Sequence, residues 1–249
     1  MALELASQGV DLILHGSTSS RSLETCREDA LAEGAATVTT LTFDVSDSSA
    51  CEKALADIGT VDVVINNAGR SLRLISETFN TVPTKFWETR PEAWDHIIAT
   101  NLNGPFHVSR CVVPGMVERG YGKIINISTS DITMVRRGYA PYGPSKAGLE
   151  AASRIWAQDL EGTGVTVNVF LPGGAADTDL LPPSPNKRGA DGNLLPASIM
   201  RRGIRWLCGP ESDGVTGARF IARLWDNDCP DDEAAEKARS LTVERPAIM

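Results

Sequence analysis

The sequence predicts a single α/β domain built on a doubly wound parallel sheet with helices on both faces. First, segments of strand length alternate with helical segments along most of the chain. Second, strand segments such as 61–65 and 165–170 are nearly continuous apolar runs, which is typical of parallel strands covered on both faces. Third, 249 residues with 42% hydrophobic residues suit one domain with a large core.

The predicted elements follow one another in a regular order. The chain opens on the last turns of a helix that ends at Gly9, because glycine tolerates the left-handed backbone of a helix C-cap. Parallel strands need helical crossovers between them. We predict strands at 10–14, 37–43, 61–65, 123–127 and 165–170, and helices at 21–34, 47–58, 91–118 and 144–161.

Three segments depart from this alternation. A polar and aromatic loop covers 70–90, and a segment rich in glycine, proline and aspartate covers 172–196. The last segment, 226–249, is predicted to be a charged and poorly ordered tail. We therefore expect one domain over 1–225, followed by that tail.

Composition excludes several classes of function. A net charge of -8, from 24 basic and 32 acidic residues, argues against nucleic acid or an anionic membrane surface as a partner. The start of the chain is not basic, and about 18 successive apolar residues, as a membrane span needs, occur nowhere. The five cysteines lack Cys-x-x-Cys spacing, so we expect no disulfide framework, no metal site and a cytoplasmic protein.

Chemistry-bearing residues are expected where the strands end. The strand at 61–65 runs into Asn66-Asn67-Ala68-Gly69, which places two amides and a glycine at a ligand position. Glycine allows the backbone to approach a flat ring closely, and an asparagine can tie adjacent strands together. An ordinary turn explains the same residues equally well.

A second group of candidates follows the strand at 123–127. Three hydroxyls, at 128–130, come directly after that strand. Beyond them lies Tyr142-Gly143-Pro144-Ser145-Lys146, in which the tyrosine and the lysine stand four residues apart across a helix start and can share one helix face. A half-buried aromatic residue near a helix start is the alternative interpretation of Tyr142.

Taken in order, these motifs resemble the classical short-chain dehydrogenase/reductase family. They are Asn66 to Gly69, the hydroxyls after Ile127, Tyr142-x-x-x-Lys146 and Pro172-Gly173, and the resemblance runs from Met1 to about Phe220. It implies a Rossmann-like sheet and hydride transfer between NADP(H) and a ketone or secondary alcohol. It also implies a small-molecule substrate and a homodimer or homotetramer.

The resemblance assigns catalytic roles to five residues. Tyr142 would be the general acid/base, and the Lys146 ammonium would lower its pKa, which is near 10 in free tyrosine, by about 1 to 3 units. Thr129, thirteen residues before Tyr142, takes the position of the hydroxyl that donates to the substrate oxygen. Ser128 would serve if the loop is shifted by one residue. Asn101 would hold water near Lys146 in a proton path.

Cofactor contacts are implied in the same way. Asp44 and Val45 match the Asp-Val pair that meets the adenine ring. The segment from Pro172 to Thr178 is one residue longer than the family's Pro-Gly-x-x-x-Thr. The other residues that the resemblance places at the cofactor are Asn66, Ala68, Gly69, Tyr142, Lys146, Pro172, Gly173 and Thr178.

The turn after the strand at 10–14 bears on which dinucleotide is bound. An acidic residue there would bind the adenosine ribose and repel a 2'-phosphate, and none is present. Ser17, Thr18 and Arg21 instead offer hydroxyls and a guanidinium that suit a phosphate. NADP(H) is therefore favoured over NAD(H), with a solvated turn as the alternative.

The family pattern has one part without a counterpart here. It places a first strand and a Thr-Gly-x-x-x-Gly-x-Gly turn before the helix that ends at Gly9. We expect Met1 to be an internal methionine of a longer reading frame, since the later site residues are in place. The alternative is a truncated, non-catalytic protein with the same dinucleotide-binding fold.

Loop residues give weaker indications about the substrate. Arg136 and Arg137 lie between the hydroxyls and Tyr142 and could hold an anionic group, although a solvated loop is favoured. Phe86 and Trp87 are candidates for the pocket wall, because their loop follows the end of a strand.

Overall fold

The structure is a computed structural model that describes residues 1–183, 187–189 and 191–241. Helices and strands alternate as expected. The strands are β1 Asp11–Gly16, β2 Thr37–Thr42, β3 Val63–Asn66, β4 Gly122–Ile127, β5 Val165–Leu171 and β6 Arg219–Ile221. The α-helices are α1 Ala2–Ala6, α2 Arg21–Ala32, α3 Ser48–Leu55, α4 Pro91–Ile98, α5 Gly104–Arg119, α6 Asp131–Met134, α7 Tyr142–Asp159, α8 Arg201–Cys208 and α9 Asp231–Ala238.

Every strand pair is parallel, which confirms the predicted fold class. β1 pairs with β2, and a second sheet has the order β3-β4-β5-β6. Among the described residues, hydrogen bonding between strands is thus interrupted between β1 and β3. All seven residues of β5 are buried, as its apolar sequence predicts.

Helices cover both faces of the larger sheet. Ile124 of β4 packs in a cluster with Ala157 of α7, whereas the next residue, Ile125, packs in a cluster with Ile204 of α8. Successive side chains of a strand point to opposite faces, so the two clusters mark the two sides of the sheet. The described helices include none that is both long and apolar enough to cross a lipid bilayer.

The predicted helix at 91–118 is interrupted. A π-helical turn, Ala99–Asn103, separates α4 from α5. Such turns widen the helix locally and often occur at functional sites. Here the turn carries Asn101, whose side chain reaches the site described below.

The prediction of a poorly ordered tail after residue 225 is wrong for 226–241. Ala234, Ala235 and Ala238 of α9 are fully buried in the same core cluster as Phe220. The acidic first turn of α9 binds α8, where Arg202 Nε donates to Asp231 Oδ1 at 2.9 Å. The charged residues at the start of α9 therefore form ion pairs with α8, while the alanine face of α9 packs on the core. Residues 242–249 lie outside the described residues.

Candidate active site

A cavity of about 290 Å³ lies beyond the carboxyl ends of β3, β4 and β5. Parallel sheets bind ligands at this edge, because the loops that follow the strands converge there. Its walls come from the segments after these three strands, from the loop at 70–90 and from the start of α7, and they include Gly69, Ser128, Thr129, Tyr142, Lys146, Pro172, Gly173 and Thr178.

Tyr142 and Thr129 form the polar centre of this cavity. Burial raises the pKa of Tyr142 to about 12, a hydrogen bond with the Thr129 side chain opposes this rise, and Tyr139 adds to it. A neutral phenol is therefore the resting form of Tyr142 at neutral pH, which makes it a proton donor. The hydroxyls of Tyr142 and Thr129 are therefore adjacent on the cavity wall.

Lys146 stands one helical turn after Tyr142 on α7. Its Nζ donates to the Ile127 carbonyl oxygen at 2.8 Å. Burial lowers the pKa of Lys146 to about 8, and the Glu150 carboxylate, a further turn along, opposes the shift. The predicted lowering of the Tyr142 pKa by Lys146 is wrong in this structure, because burial dominates the pKa of both groups.

The low pKa of Lys146 makes stability depend on pH. Between about pH 8 and 10.5 the folded chain loses the proton from Lys146 while the unfolded chain keeps it, so the free energy of unfolding should rise with pH there. We expect Lys146→Met to lack this rise. Denaturant unfolding of both proteins between about pH 7 and 9 measures it, below the range in which Tyr142 titrates in either the folded or the unfolded state. An equal rise in the variant would contradict the assignment.

The two candidate hydroxyls after β4 have different surroundings. The Thr129 hydroxyl interacts with Tyr142, whereas Ser128 Oγ is buried without a hydrogen-bond partner among the described residues. The backbone of Thr129 is also held in place by Arg219. The Arg219 guanidinium donates to the Thr129 carbonyl oxygen at 3.0 Å and to the Glu150 carboxylate at 3.0 and 3.1 Å. Of the two hydroxyls, the structure therefore pairs only that of Thr129 with Tyr142.

Asn101 is fully buried and positions the loop after β3. Its Oδ1 accepts the Arg70 N–H at 2.7 Å, and its Nδ2 donates to the Arg70 carbonyl at 2.9 Å and to Ser145 Oγ at 3.1 Å. A Cβ on Gly69 would lie 3.4 Å from Asn101 Oδ1 and 4.0 Å from Lys146 Nζ. Glycine thus keeps the backbone open beside both side chains.

Two of the predicted cofactor residues after β3 do not reach the cavity. Asn66 Nδ2 donates to Asn126 Oδ1 at 2.8 Å and to Ser109 Oγ at 3.1 Å, so its side chain links β3 to β4 as the sequence suggested an asparagine could. Ala68 packs in an apolar cluster instead. Asn67, the second amide expected at this ligand position but not assigned to the cofactor, lines the cavity. Its position next to Asn66, where side chains alternate in direction, was the available signal.

The loop after β5 lines the cavity as expected. Gly173 has a φ of +85°, and a Cβ there would come within 2.5 Å of Ile221 Cγ2, so the position requires glycine. Thr178 lies on the cavity wall even though its segment is one residue longer than the family pattern.

The remaining cofactor candidates lie outside the cavity wall. Ser17, Thr18 and Arg21 are exposed around the start of α2. Asp44 Oδ1 accepts the Ser46 N–H at 2.9 Å, and this bond lowers the Asp44 pKa. Val45 is buried against Gly104, where a Cβ would come within 2.7 Å of Val45 Cγ2.

The aromatic residues of the 70–90 loop are placed differently from expectation. Phe86 and Trp87 are 67% and 69% exposed and are not part of the cavity wall, so that prediction is wrong. The two rings pack against each other edge to face on the protein surface. Phe79 and Tyr139 line the cavity instead.

The fold and the position of this cavity are those of an α/β protein of the Rossmann-like class, which binds ligands beyond the carboxyl ends of its parallel strands. A model of the short chain dehydrogenase family matches residues 1–189, and the chain belongs to that family. Its cavity carries the tyrosine, lysine and hydroxyl that the sequence resemblance pointed to.

Curated relatives and a solved structure are similar to parts of the chain. "Nodulation protein G" of Azospirillum brasilense is 39% identical over 135 residues, which are 52% of this chain and 50% of that protein. Gluconate 5-dehydrogenase of Gluconobacter oxydans is 32% identical over 70% of this chain and 64% of its own length. The chain thus spans half to about two thirds of these relatives. A metagenomic short-chain oxidoreductase in complex with NADP superposes with a TM-score of 0.61, at 28% identity, over 70% of this chain and 75% of its own.

Proposed function

We propose that the protein is an NADP(H)-dependent oxidoreductase that interconverts a ketone and a secondary alcohol. The observation that carries this proposal is that one cavity is lined by Tyr142, Thr129 and Lys146, with the Tyr142 and Thr129 side chains hydrogen-bonded to each other. Family membership supports the reaction type, since gluconate 5-dehydrogenase is among the relatives.

The cavity residues suit a dinucleotide. Gly69 and Gly173 present bare backbone where a Cβ would approach the Asn101 and Ile221 side chains, and Ser128 Oγ is a buried hydroxyl without a partner in the described chain. When bound, the nicotinamide would supply or accept the hydride. Gly69 would lie against its ring, Thr178 would contact the nicotinamide, and Lys146 would lie beside this half of the cofactor.

The preference for NADP(H) rests on the turn after β1. Ser17 and Thr18 are exposed there, and Arg21 forms no ion pair with any described residue. A free guanidinium at the start of a helix favours an added phosphate. The solved structure of similar fold that holds NADP agrees with this choice.

The chain's own residues perform the proton transfer. In reduction, the Thr129 hydroxyl donates a hydrogen bond to the carbonyl oxygen and stabilises the negative charge that develops on it. Tyr142 then delivers its phenolic proton to that oxygen, and in oxidation it takes the proton back. Asn101 acts by positioning the backbone at Arg70.

The setting of this activity is part of the same proposal. We propose a small-molecule substrate, a cytoplasmic protein and a homodimer or homotetramer. Neither nucleic acid nor a membrane is a partner in this proposal, because the net charge of -8 provides no basic surface for them.

A binding and turnover experiment tests the proposal. NADPH and NADH are titrated into the chain, with nucleotide fluorescence as the readout, and a panel of ketones is then screened by loss of NADPH absorbance. We expect tighter binding of NADPH than of NADH and reduction of at least one ketone.

Two outcomes would count against this function. Binding of NADPH without reduction of any ketone would favour the non-catalytic dinucleotide-binding alternative. Failure to bind either nucleotide would exclude the proposed enzyme.

A further inference from the structure

Arg136 and Arg137 are adjacent in sequence but differ in their surroundings. Arg137 is exposed and is not part of the cavity wall, whereas Arg136 is half-buried and lines it. The guanidinium of Arg136 lies over the ring of Tyr139, with Cζ 5.4 Å from the ring centroid. The solvated loop favoured from the sequence therefore describes Arg137 and not Arg136.

The Arg136 guanidinium lacks an acceptor in the described part of the chain. Its Nε is buried and makes no hydrogen bond, and no described carboxylate lies within ion-pair distance of it. A buried donor without an acceptor destabilises the folded state. A ligand that brings an acceptor to this position would remove that cost.

The other charges on the cavity wall do not neutralise Arg136. Arg219 is occupied by Glu150, with Nε to Oε2 at 3.0 Å, whereas the buried Lys146 adds positive charge and Arg223 is exposed to solvent. The acidic wall residues are Asp131 and Asp191, and both side chains are exposed to solvent. The wall is therefore cationic on balance and attracts an anion.

An apolar surface connects Arg136 with the reacting hydroxyl. Tyr139 packs edge to face on Phe79, with ring centroids 5.8 Å apart, and both belong to one cluster with Leu72, Leu181 and Tyr142. A ligand that extends from Arg136 towards Tyr142 thus contacts carbon-rich walls. These walls suit a short hydrocarbon chain between two polar ends.

We propose that the substrate is an oxo acid whose carboxylate binds Arg136 while its ketone lies at Tyr142 and Thr129. This proposal rests on the oxidoreductase function proposed above. A single planar guanidinium matches a carboxylate, which accepts two parallel N–H bonds from it. The cavity volume of about 290 Å³ limits the substrate to a small molecule.

Matched variants and matched substrates test this assignment. Arg136→Met keeps the length of the side chain and removes its charge, and Arg137→Met makes the same change at the exposed neighbour. The probes are 4-oxopentanoate and 5-oxohexanoate, with their methyl esters as neutral counterparts. We expect Arg136→Met to raise KM for the acids by about 10- to 100-fold and to leave KM for the esters unchanged. Arg137→Met should change neither.

A binding measurement tests the carboxylate site at Arg136 independently of the proposed redox reaction. Glutarate has no ketone, and its binding is followed by saturation-transfer NMR with glutaramide as the neutral control. Glutarate bound by the wild type and by Arg137→Met, but not by Arg136→Met, would support the anion site even if no ketone is reduced. Equal losses for acids and esters, or glutarate binding that survives in Arg136→Met, would overturn it while leaving the oxidoreductase function intact.

Discussion

Replacing Tyr142 by phenylalanine is expected to lower kcat by about 10²- to 10⁴-fold. The change removes one oxygen atom, which carries the proton that the substrate oxygen needs. Tyr142 is half-buried, and desolvation raises its pKa to about 12, so it is protonated and able to donate throughout the physiological range. Steady-state kinetics with NADPH and a reducible ketone measure the loss.

Tyr121→Phe is the matched control, because it makes the same chemical change at a tyrosine outside the cavity. It should leave kcat unchanged. NADPH affinity and Tm should be close to wild type in both variants. A Tyr142→Phe protein that keeps its fold and retains most of its turnover would show that another group supplies the proton.

Replacing Thr129 by valine is expected to lower kcat by about 10²- to 10³-fold, the usual effect of removing one donor to a developing oxyanion. Valine has nearly the shape of threonine, and it lacks the hydroxyl that interacts with Tyr142. The loss should appear in kcat, because the hydrogen bond strengthens as charge develops on the substrate oxygen.

Two further variants decide between the neighbouring hydroxyls. Thr129→Ser restores a donor at the same position and should recover most of the activity. Ser128→Ala removes a buried hydroxyl that has no partner in the described chain, and a small effect is expected. If Ser128→Ala lost far more activity than Thr129→Val, the roles of the two residues would be exchanged.

Local patterns predicted the site residues that lie close to a strand end. The hydroxyls after β4 and the Tyr142–Lys146 pair line one cavity, because parallel strands bring their carboxyl ends to one edge. Asn66 and Ala68 do not line that cavity, since adjacent residues at a strand end point to opposite sides and the sequence does not show which side faces the cavity.

Contacts between distant segments were beyond sequence reasoning. Arg219 supports Thr129 and binds Glu150 across 90 and 69 positions of the chain. In the sequence Arg219 is one basic residue in a segment of no evident motif. The same holds for α9, whose charges suggested a tail although its alanines pack in the core.

The sequence by itself determined the order of strands and helices, the doubly wound class and the tyrosine, lysine and hydroxyl of the site. These follow from apolar periodicity and from short motifs, which are local properties. Only the tertiary structure decided that Lys146 binds Ile127, that burial raises the pKa of Tyr142 and that Arg136 faces the cavity while Arg137 faces solvent. Burial and charge pairing depend on residues far away in the chain, so they arise only when the segments pack together.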